Sequence, residues 1–410
     1  MTQSASPTDT PAIDLSDHDL FTDAVPHVLF ARLRREDPVH WNPEPDGTGF
    51  WAVTRYEDIR TVHRHPEVFS SELGGTSLED LEPEHIEARK SMIDTDPPRH
   101  GELRGLVNRR FTPRAVQAWE AAVRRVVDIV LDRALPLERF DFIAEIAAEI
   151  PMQVFAEILG VPQEQRREII EIGDRLLGNA DPEYAVPPDE AHRHLPFSSP
   201  AALDMFAFGR RIAAERRTHP RADIMSDLVT AGLSERELDV YFVLLATAGN
   251  ETTRHTISHG LIALAEHPEA REALAADPDG LGVRATEEML RWATPVHHFR
   301  RTAAVDTELA GTPIAAGDKV TTWLVSGNRD ETVFDDPDRF DITRDPNPHM
   351  AFGPGGIHHC LGAHLARLEI RLTFTELLRR EVDFELTAPP ERLRSNFFNG
   401  IKRLPVRVTG

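Results

Sequence analysis

Apolar residues recur at three- and four-residue steps over several long stretches of this chain, and at two-residue steps only over short ones. From about Thr112 to Leu159 the alanines, valines, isoleucines and leucines fall on one face, which predicts helix with a break near Pro136. The clearest helix opens at Ser234, where Ser234-Glu235-Arg236-Glu237 makes a capping box, and runs to about His267, ahead of Pro268. At about 1.5 Å per residue it spans roughly 50 Å, enough to cross the whole molecule. A shorter helix is expected around Thr286–Trp292, and another where Leu361, Leu365, Leu368 and Leu372 repeat. Strand-like pieces are brief: Pro38–Trp41, Gly49–Thr54, parts of His297–Leu324, Phe384–Leu386 and Pro405–Val408. Gly178 to Pro200 holds five prolines and little periodicity, and reads as a long loop of the kind that roofs a binding site. The expectation is a mainly α protein with minor sheet. Neither a repeat nor a linker divides residues 16–410, so they form one domain behind a polar, mobile leader over 1–15.

Charge removes some partners. The balance of 46 Lys+Arg against 68 Asp+Glu gives −22, which disfavours nucleic acid and anionic membrane. The first residues contain no apolar run of signal-peptide or membrane-spanning length. With a single cysteine and no secretion signal, a reducing cytoplasm is the expected location.

That cysteine is the first piece of candidate chemistry. Cys360 ends the run Phe352-Gly353-Pro354-Gly355-Gly356-Ile357-His358-His359-Cys360, whose glycines let the backbone approach something flat and large. It precedes a helix, where free N–H groups favour a thiolate. Packing, nucleophilic attack and metal ligation all remain open on these residues alone. A second motif lies inside the long helix. Ala248-Gly249-Asn250-Glu251-Thr252-Thr253 places glycine and two β-branched residues where each costs up to about 1 kcal/mol relative to alanine. Glu251 and Thr252 offer a proton carrier beside a hydroxyl. The third motif, Glu288-Met289-Leu290-Arg291, sets opposite charges at i and i+3. Asp336-Pro337-Asp338-Arg339-Phe340 follows it.

In order these signals read A-G-x-E-T, E-x-x-R, P-x-R-F and a glycine–cysteine loop, and together they resemble the cytochrome P-450 superfamily over nearly the whole chain. The resemblance implies a helix-rich triangular domain with small β-sheets, a b-type haem, and Cys360 as its thiolate ligand. It implies a structural cluster of Glu288, Arg291 and Arg339. Haem propionates would be met by His100, Arg104, Arg301 (with Arg300 as competitor) and His358, and the ring would lie against Phe352, Ala248 and Gly249. On the distal side Thr252 would hydrogen-bond the oxygen being activated, and Glu251 would relay protons from solvent.

Phe352 stands eight residues before Cys360, one more than in the commonest form of the family. That longer loop, together with Ala-Gly-Asn-Glu-Thr-Thr-Arg over Ala248 to Arg254, is similar to actinobacterial enzymes acting on sterol side chains and branched lipids. The activity implied is insertion of one oxygen atom of dioxygen into a sterol, branched lipid or terpenoid. Alternatives are a peroxygenase, a coupling or desaturating member, and a haem-thiolate sensor. Substrate contacts are expected from Val243, Leu244, Ala248, Val296, Phe397 and Phe398. The chain has no flavin or iron–sulfur signature, so the resemblance implies electrons from a ferredoxin and its reductase. Arg109, Arg110, Arg114 and Arg367 are the expected basic patch for that donor.

Overall fold

The computed structural model describes residues 13–45, 47–186 and 189–409. Five short strands make the main sheet: β1 (Val39–Asn42), β2 (Phe50–Val53), β3 (Phe69–Ser70), β4 (His298–Ala303) and β5 (Lys319–Trp323). Their order is β1-β2-β5-β4-β3, and only β2–β5 is parallel. Eight helices carry most of the remaining structure used below: α1 (Arg99–Val107), α2 (Pro113–Ala134), α3 (Glu149–Leu159), α4 (Arg166–Leu177), α5 (Ala201–Thr218), α6 (Glu235–Glu266), α7 (Pro278–Ala293) and α8 (Ala363–Arg379).

The long helix α6 is the axis of the molecule. Its capping box closes as the sequence predicts: Ser234 Oγ accepts from Glu237 N at 3.2 Å, and Glu237 Oε2 accepts from Ser234 N at 2.9 Å. Beyond that cap α6 is buried on nearly every side, because α3, α5, α7 and α8 all pack on it. The largest apolar core, which includes Phe155, Phe242, Leu261 and Phe374, lies between these helices. The cysteine helix α8 packs across α2 and α7, so the loop before it is pinned under the middle of α6.

Three differences from the sequence reading have local causes. Arg139–Asp141, inside the stretch read as helical, is a strand, because Pro136 ends the helix and Pro405–Thr409 supplies a partner. Helix α7 begins at Pro278, eight residues before Thr286, on a cap in which Asp277 Oδ1 accepts from Gly280 N at 2.9 Å. The expected leader lies mostly outside the described residues, but Leu15 within it is fully buried beside Phe21 and Trp323, and its N–H donates to Asn42 Oδ1 at 2.8 Å. The Gly178–Pro200 segment contains two short 3-10 turns and no longer helix among the described residues. No helix among them is long and apolar enough to cross a membrane.

Candidate active site

The loop before α8 takes its path from its glycines. Gly353, Gly355 and Gly356 all have φ between +80° and +102°, where side chains are strained. At Gly356 a Cβ would also stand 2.2 Å from the carbonyl oxygen of His63, so the loop lies directly on that backbone. The turn is closed by Cys360 N donating to Phe352 O at 2.9 Å. Cys360 borders a cavity of about 1130 Å³ and keeps accessible surface there. Dense surrounding protein still pushes its thiol up, while backbone N–H groups of Gly362 and Ala363 and the Arg104 guanidinium pull the other way. The accessible surface is therefore that of an internal wall.

One edge of this cavity carries two guanidiniums with no ion pair among the described residues. Arg301 is buried, and among the described residues its side chain makes one hydrogen bond, from Nη1 to Arg300 O at 2.7 Å. Arg104 donates through Nη2 to His359 O at 2.8 Å. Neither forms an ion pair among the described residues, although both line the cavity. Burial lowers the Arg301 guanidinium to about 10, and burial beside Arg301, His100 and Arg104 lowers His358 to about 2. The His100 and His358 rings lie 4.4 Å apart, and Ser71 Oγ sits 3.1 Å from His358 Nε2. Asp94 and Asp96 act on Arg301 without an ion-pair contact, so two guanidiniums on this edge keep donors to offer an anionic ligand. A flat group with two carboxylates, seated on the Cys360 thiol, takes up those donors, so these residues fit haem. The strand alternation of β4 resolves the competition between its arginines: Arg300 turns away, donating to Glu79 O at 2.8 Å.

The cavity also brings together Val243, Leu244, Ala248, Gly249 and Thr252 of α6 with Val296, Phe352, Phe397 and Phe398. Thr252 Oγ1 donates to Ala248 O at 3.0 Å, which leaves the oxygen lone pairs free to accept. The missing Cβ of Gly249 makes room for the ring of Phe155, which a Cβ would approach to 2.5 Å.

Glu251 stands apart: it does not border this cavity. It borders a second one of about 510 Å³, between α6, α3 and α4, whose outer wall includes the exposed Ala144, Arg167 and Glu171. There Glu251 is 3% exposed, bonded to Arg254 Nη2, with Asn250 Nδ2 at 3.2 Å from Oε1 and His255 Nε2 at 3.6 Å from Oε2. Burial pushes its carboxyl up to about 7, against the opposing pull of Arg254. Arg254 is shared with Asp174, Nη1 to Oδ1 at 2.7 Å. Sequence reasoning used this arginine only as the end of the Ala248–Arg254 motif and missed its pairing with Glu251, although the two repeat the E-x-x-R spacing.

Glu288 and Arg291 are both fully buried. Arg291 grips Glu288 through Nε (2.8 Å) and Nη2 (2.7 Å), and donates to the carbonyls of Asn328, Pro337 and Arg339. The expectation for Arg339 is corrected here. Its side chain is exposed, and only its carbonyl joins the cluster; the second arginine is Arg344, whose Nε lies 3.3 Å from Glu288 Oε2. Of the expected basic patch, Arg110 is tied to Asp227 and to the carbonyls of Ala222 and Asp223. Arg367 is tied to Glu287 and lies over the Phe352 ring. Arg109 is 71% exposed though paired with Asp227, and Arg114 is exposed with no ion pair among the described residues.

Comparison with known proteins accounts for this arrangement. The Cytochrome P450 family pattern matches residues 284–407, which hold the Glu288 cluster and the cysteine loop. A methyl-branched lipid omega-hydroxylase of Mycobacterium bovis is 43% identical over 399 residues, covering 94% of this chain and 91% of that protein. A steroid C26-monooxygenase of Rhodococcus jostii is 36% identical over 417 residues, covering 98% and 86%. Among solved structures, a Mycobacterium marinum cytochrome P450 in complex with pseudoionone superposes with a TM-score of 0.89 at 39% identity, covering 99% of this chain and all of that one. Likeness that runs from end to end, in sequence and in backbone, leaves one assignment: the chain belongs to the cytochrome P450 family of monooxygenases.

Proposed function

We propose that this protein binds haem b through Cys360 and hydroxylates a bulky apolar substrate, a branched lipid, sterol or terpenoid, with electrons from a ferredoxin and its reductase. What carries the reading is that Cys360, the unpaired Arg104 and Arg301, and the Thr252 hydroxyl all face one largely apolar cavity. Haem, when bound, supplies the reductive activation of dioxygen. His100, Arg104, Arg301 and His358 would hold its propionates, and Phe352, Ala248 and Gly249 would border it. Val243, Leu244, Val296, Phe397 and Phe398 exclude water and orient the substrate. Thr252 accepts a hydrogen bond in the cavity, its own proton being committed to Ala248 O. Glu251, with a carboxyl near neutrality, takes protons from the second cavity and passes them across α6 toward Thr252. The named relatives act on methyl-branched lipids and steroids, which supports the substrate class.

Thr252→Ala tests the reading. The variant should keep haem and the substrate-induced low- to high-spin absorbance change, while reducing equivalents are diverted to hydrogen peroxide. Product per reductant equal to that of the wild type would overturn it. For the donor, Arg114, exposed with no ion pair among the described residues, and Arg109, exposed though paired with Asp227, are the more accessible contacts, while Arg110 and Arg367 are held within the fold. Charge reversal at both should slow reduction, and reduction indifferent to those changes and to salt would remove the docking site.

A further inference from the structure

The two cavities meet at one place in this fold. Among the described residues, Leu177 and Phe398 alone border both of them. The spaces on either side differ in character. The main cavity is faced by Cys360 and Thr252 and walled by apolar side chains such as Val243, Leu244 and Val296. The second is bordered by the charged groups Asp174, Glu251, Arg254 and Lys402, and reaches exposed side chains at Ala144, Arg167 and Glu171. Two apolar side chains therefore stand between a charged space open to solvent and the chamber that faces Cys360.

This partition is assembled from two distant parts of the chain. Leu177 is the last residue of α4, three after Asp174, so the two are neighbours on one face of that helix. From that face Asp174 accepts from Arg254 Nη1 at 2.7 Å, whereas Leu176, one step round the helix, borders the main cavity alone. Phe398 arrives from the C-terminal segment. Its backbone bridges Val296, with Asn399 N donating to Pro295 O at 3.0 Å and His297 N to Phe397 O at 2.8 Å. The Phe398 side chain joins Leu177 and Leu393 in a small apolar cluster separate from the main core. Leu393 and Tyr184 pack there too, on the side of the second cavity only. Phe397, next in the chain, packs instead on His298 (ring centroids 5.4 Å apart) and Phe299 (5.8 Å), and borders the main cavity alone. Two adjacent phenylalanines thus have different neighbours, and only one of them divides the cavities.

Water is useful on one side of this partition and harmful on the other. Beside Glu251 it is the source of protons. In the main chamber it would weaken the contacts that orient a substrate and leak protons past Thr252, so that reducing equivalents leave as hydrogen peroxide.

We propose that Phe398 and Leu177 form a water barrier, which keeps the contents of the second cavity out of the substrate chamber while Glu251 draws protons from that cavity. They act as positioning residues for the monooxygenase. The proposal rests on the reading of the main cavity given above and deepens it. Removing the Phe398 ring joins the cavities, because it vacates more than the roughly 30 Å³ that a water occupies.

The haem-loaded protein is saturated with whichever of phytanol, farnesol and cholesterol gives the largest spin-state change, and is then mixed with cyanide. The probe fills the main chamber, so cyanide gains a new path to the haem only where the barrier is breached. Phe398→Ala and Leu177→Ala should bind cyanide about tenfold faster than the wild type. Both should also lose most of their product per reductant to hydrogen peroxide. Phe398→Leu keeps an apolar plug and should restore both readings. Phe397→Ala removes the same ring from the main cavity alone, and should weaken the probe without speeding cyanide into the saturated protein. Equal acceleration in Phe397→Ala and Phe398→Ala overturns the proposal. So does a wild-type cyanide rate in Phe398→Ala and Leu177→Ala proteins that keep their carbon monoxide band. Should Phe398→Ala lose that band, Leu177→Ala decides by the same two readings. A wild type with no spin-state change toward any of the three probes instead takes down the apolar-substrate reading, and this inference with it.

Discussion

Two glutamate–arginine pairs three residues apart are buried in this molecule, and their surroundings give them opposite work. In α7, Glu288 accepts from Arg291 twice, from Asp341 N at 2.8 Å, from Asn347 Nδ2 at 3.0 Å and from Arg344 Nε at 3.3 Å. Arg291 in turn satisfies three loop carbonyls that lead toward the cysteine loop. In α6, among the described residues, Glu251 accepts from Arg254 and Asn250 alone, Nε of Arg254 has no partner, and the second cavity opens beside them. A carboxylate with five donors is held in one place as scaffold. One with two donors, in a buried place, sits near its titration point and can carry a proton. The spacing is identical; the count of donors separates the roles.

The largest expected effect comes from breaking the saturated pair. Glu288→Ala leaves Arg291 buried without its counter-charge, a change worth about 3–5 kcal/mol. Urea unfolding should show a lowered midpoint, and the reduced carbon monoxide complex should lose its thiolate band as the cysteine loop slackens. A variant with wild-type stability and an intact band would show that the loop carbonyls alone hold the scaffold.

Glu251→Gln should do the reverse: keep the fold and lose turnover. Removing a placed proton carrier costs on the order of 10²-fold in product formation. The pH dependence has a definite sign. The folded carboxyl, pushed up to about 7 by burial, keeps its proton where the unfolded chain, with a carboxyl near about 4.3, has released it. That contribution to stability is fully present below the unfolded value and is lost as pH rises to about 7. Wild-type stability should therefore fall relative to Glu251→Gln between roughly pH 4.5 and 7, measured by urea unfolding across that range. Product per reductant should decline in the wild type above about 7, and be low and flat in the variant. Arg254→Leu sharpens the point. Arg254 pulls the Glu251 carboxyl down, so its removal should move the decline to higher pH. A decline that stays in place would separate Glu251 from the proton path.

The contrast between the pairs also marks what could be read in the chain and what could not. Glycines at 353, 355 and 356, the capping box at Ser234 and the periodic leucines of α8 are local signals, and each produced the element it announced. The residues gathered on the main cavity, from His100 to Phe398, were legible because their motifs travel together in one family. Glu251 was singled out with Thr252, but adjacent residues on a helix point about 100° apart, and only the packing of α3 and α4 shows that it faces another cavity. Arg254 carried a readable spacing that went unused. Arg344 was missed because the P-x-R-F motif draws attention to Arg339 five residues too early.

That last pair of arginines gives the smallest and most discriminating test. Arg344 is 9% exposed in its side chain, meets Glu288 and donates to Asp335 O at 2.7 Å, whereas the exposed Arg339 side chain has no ion pair among the described residues. Arg344→Ala removes hydrogen bonds to a buried charge and should cost about 1.5–3 kcal/mol. Arg339→Ala keeps the carbonyl that Arg291 uses, and should lie within about 0.5 kcal/mol of the wild type. The two urea midpoints decide it. Equal losses would mean that the Arg339 side chain supports the loop through contacts of its own, and the reverse order would return the cluster to the composition its sequence motif suggests. The expected order places the third member of the cluster at Arg344, which supplies one of the five donors that surround Glu288 and set it apart from Glu251.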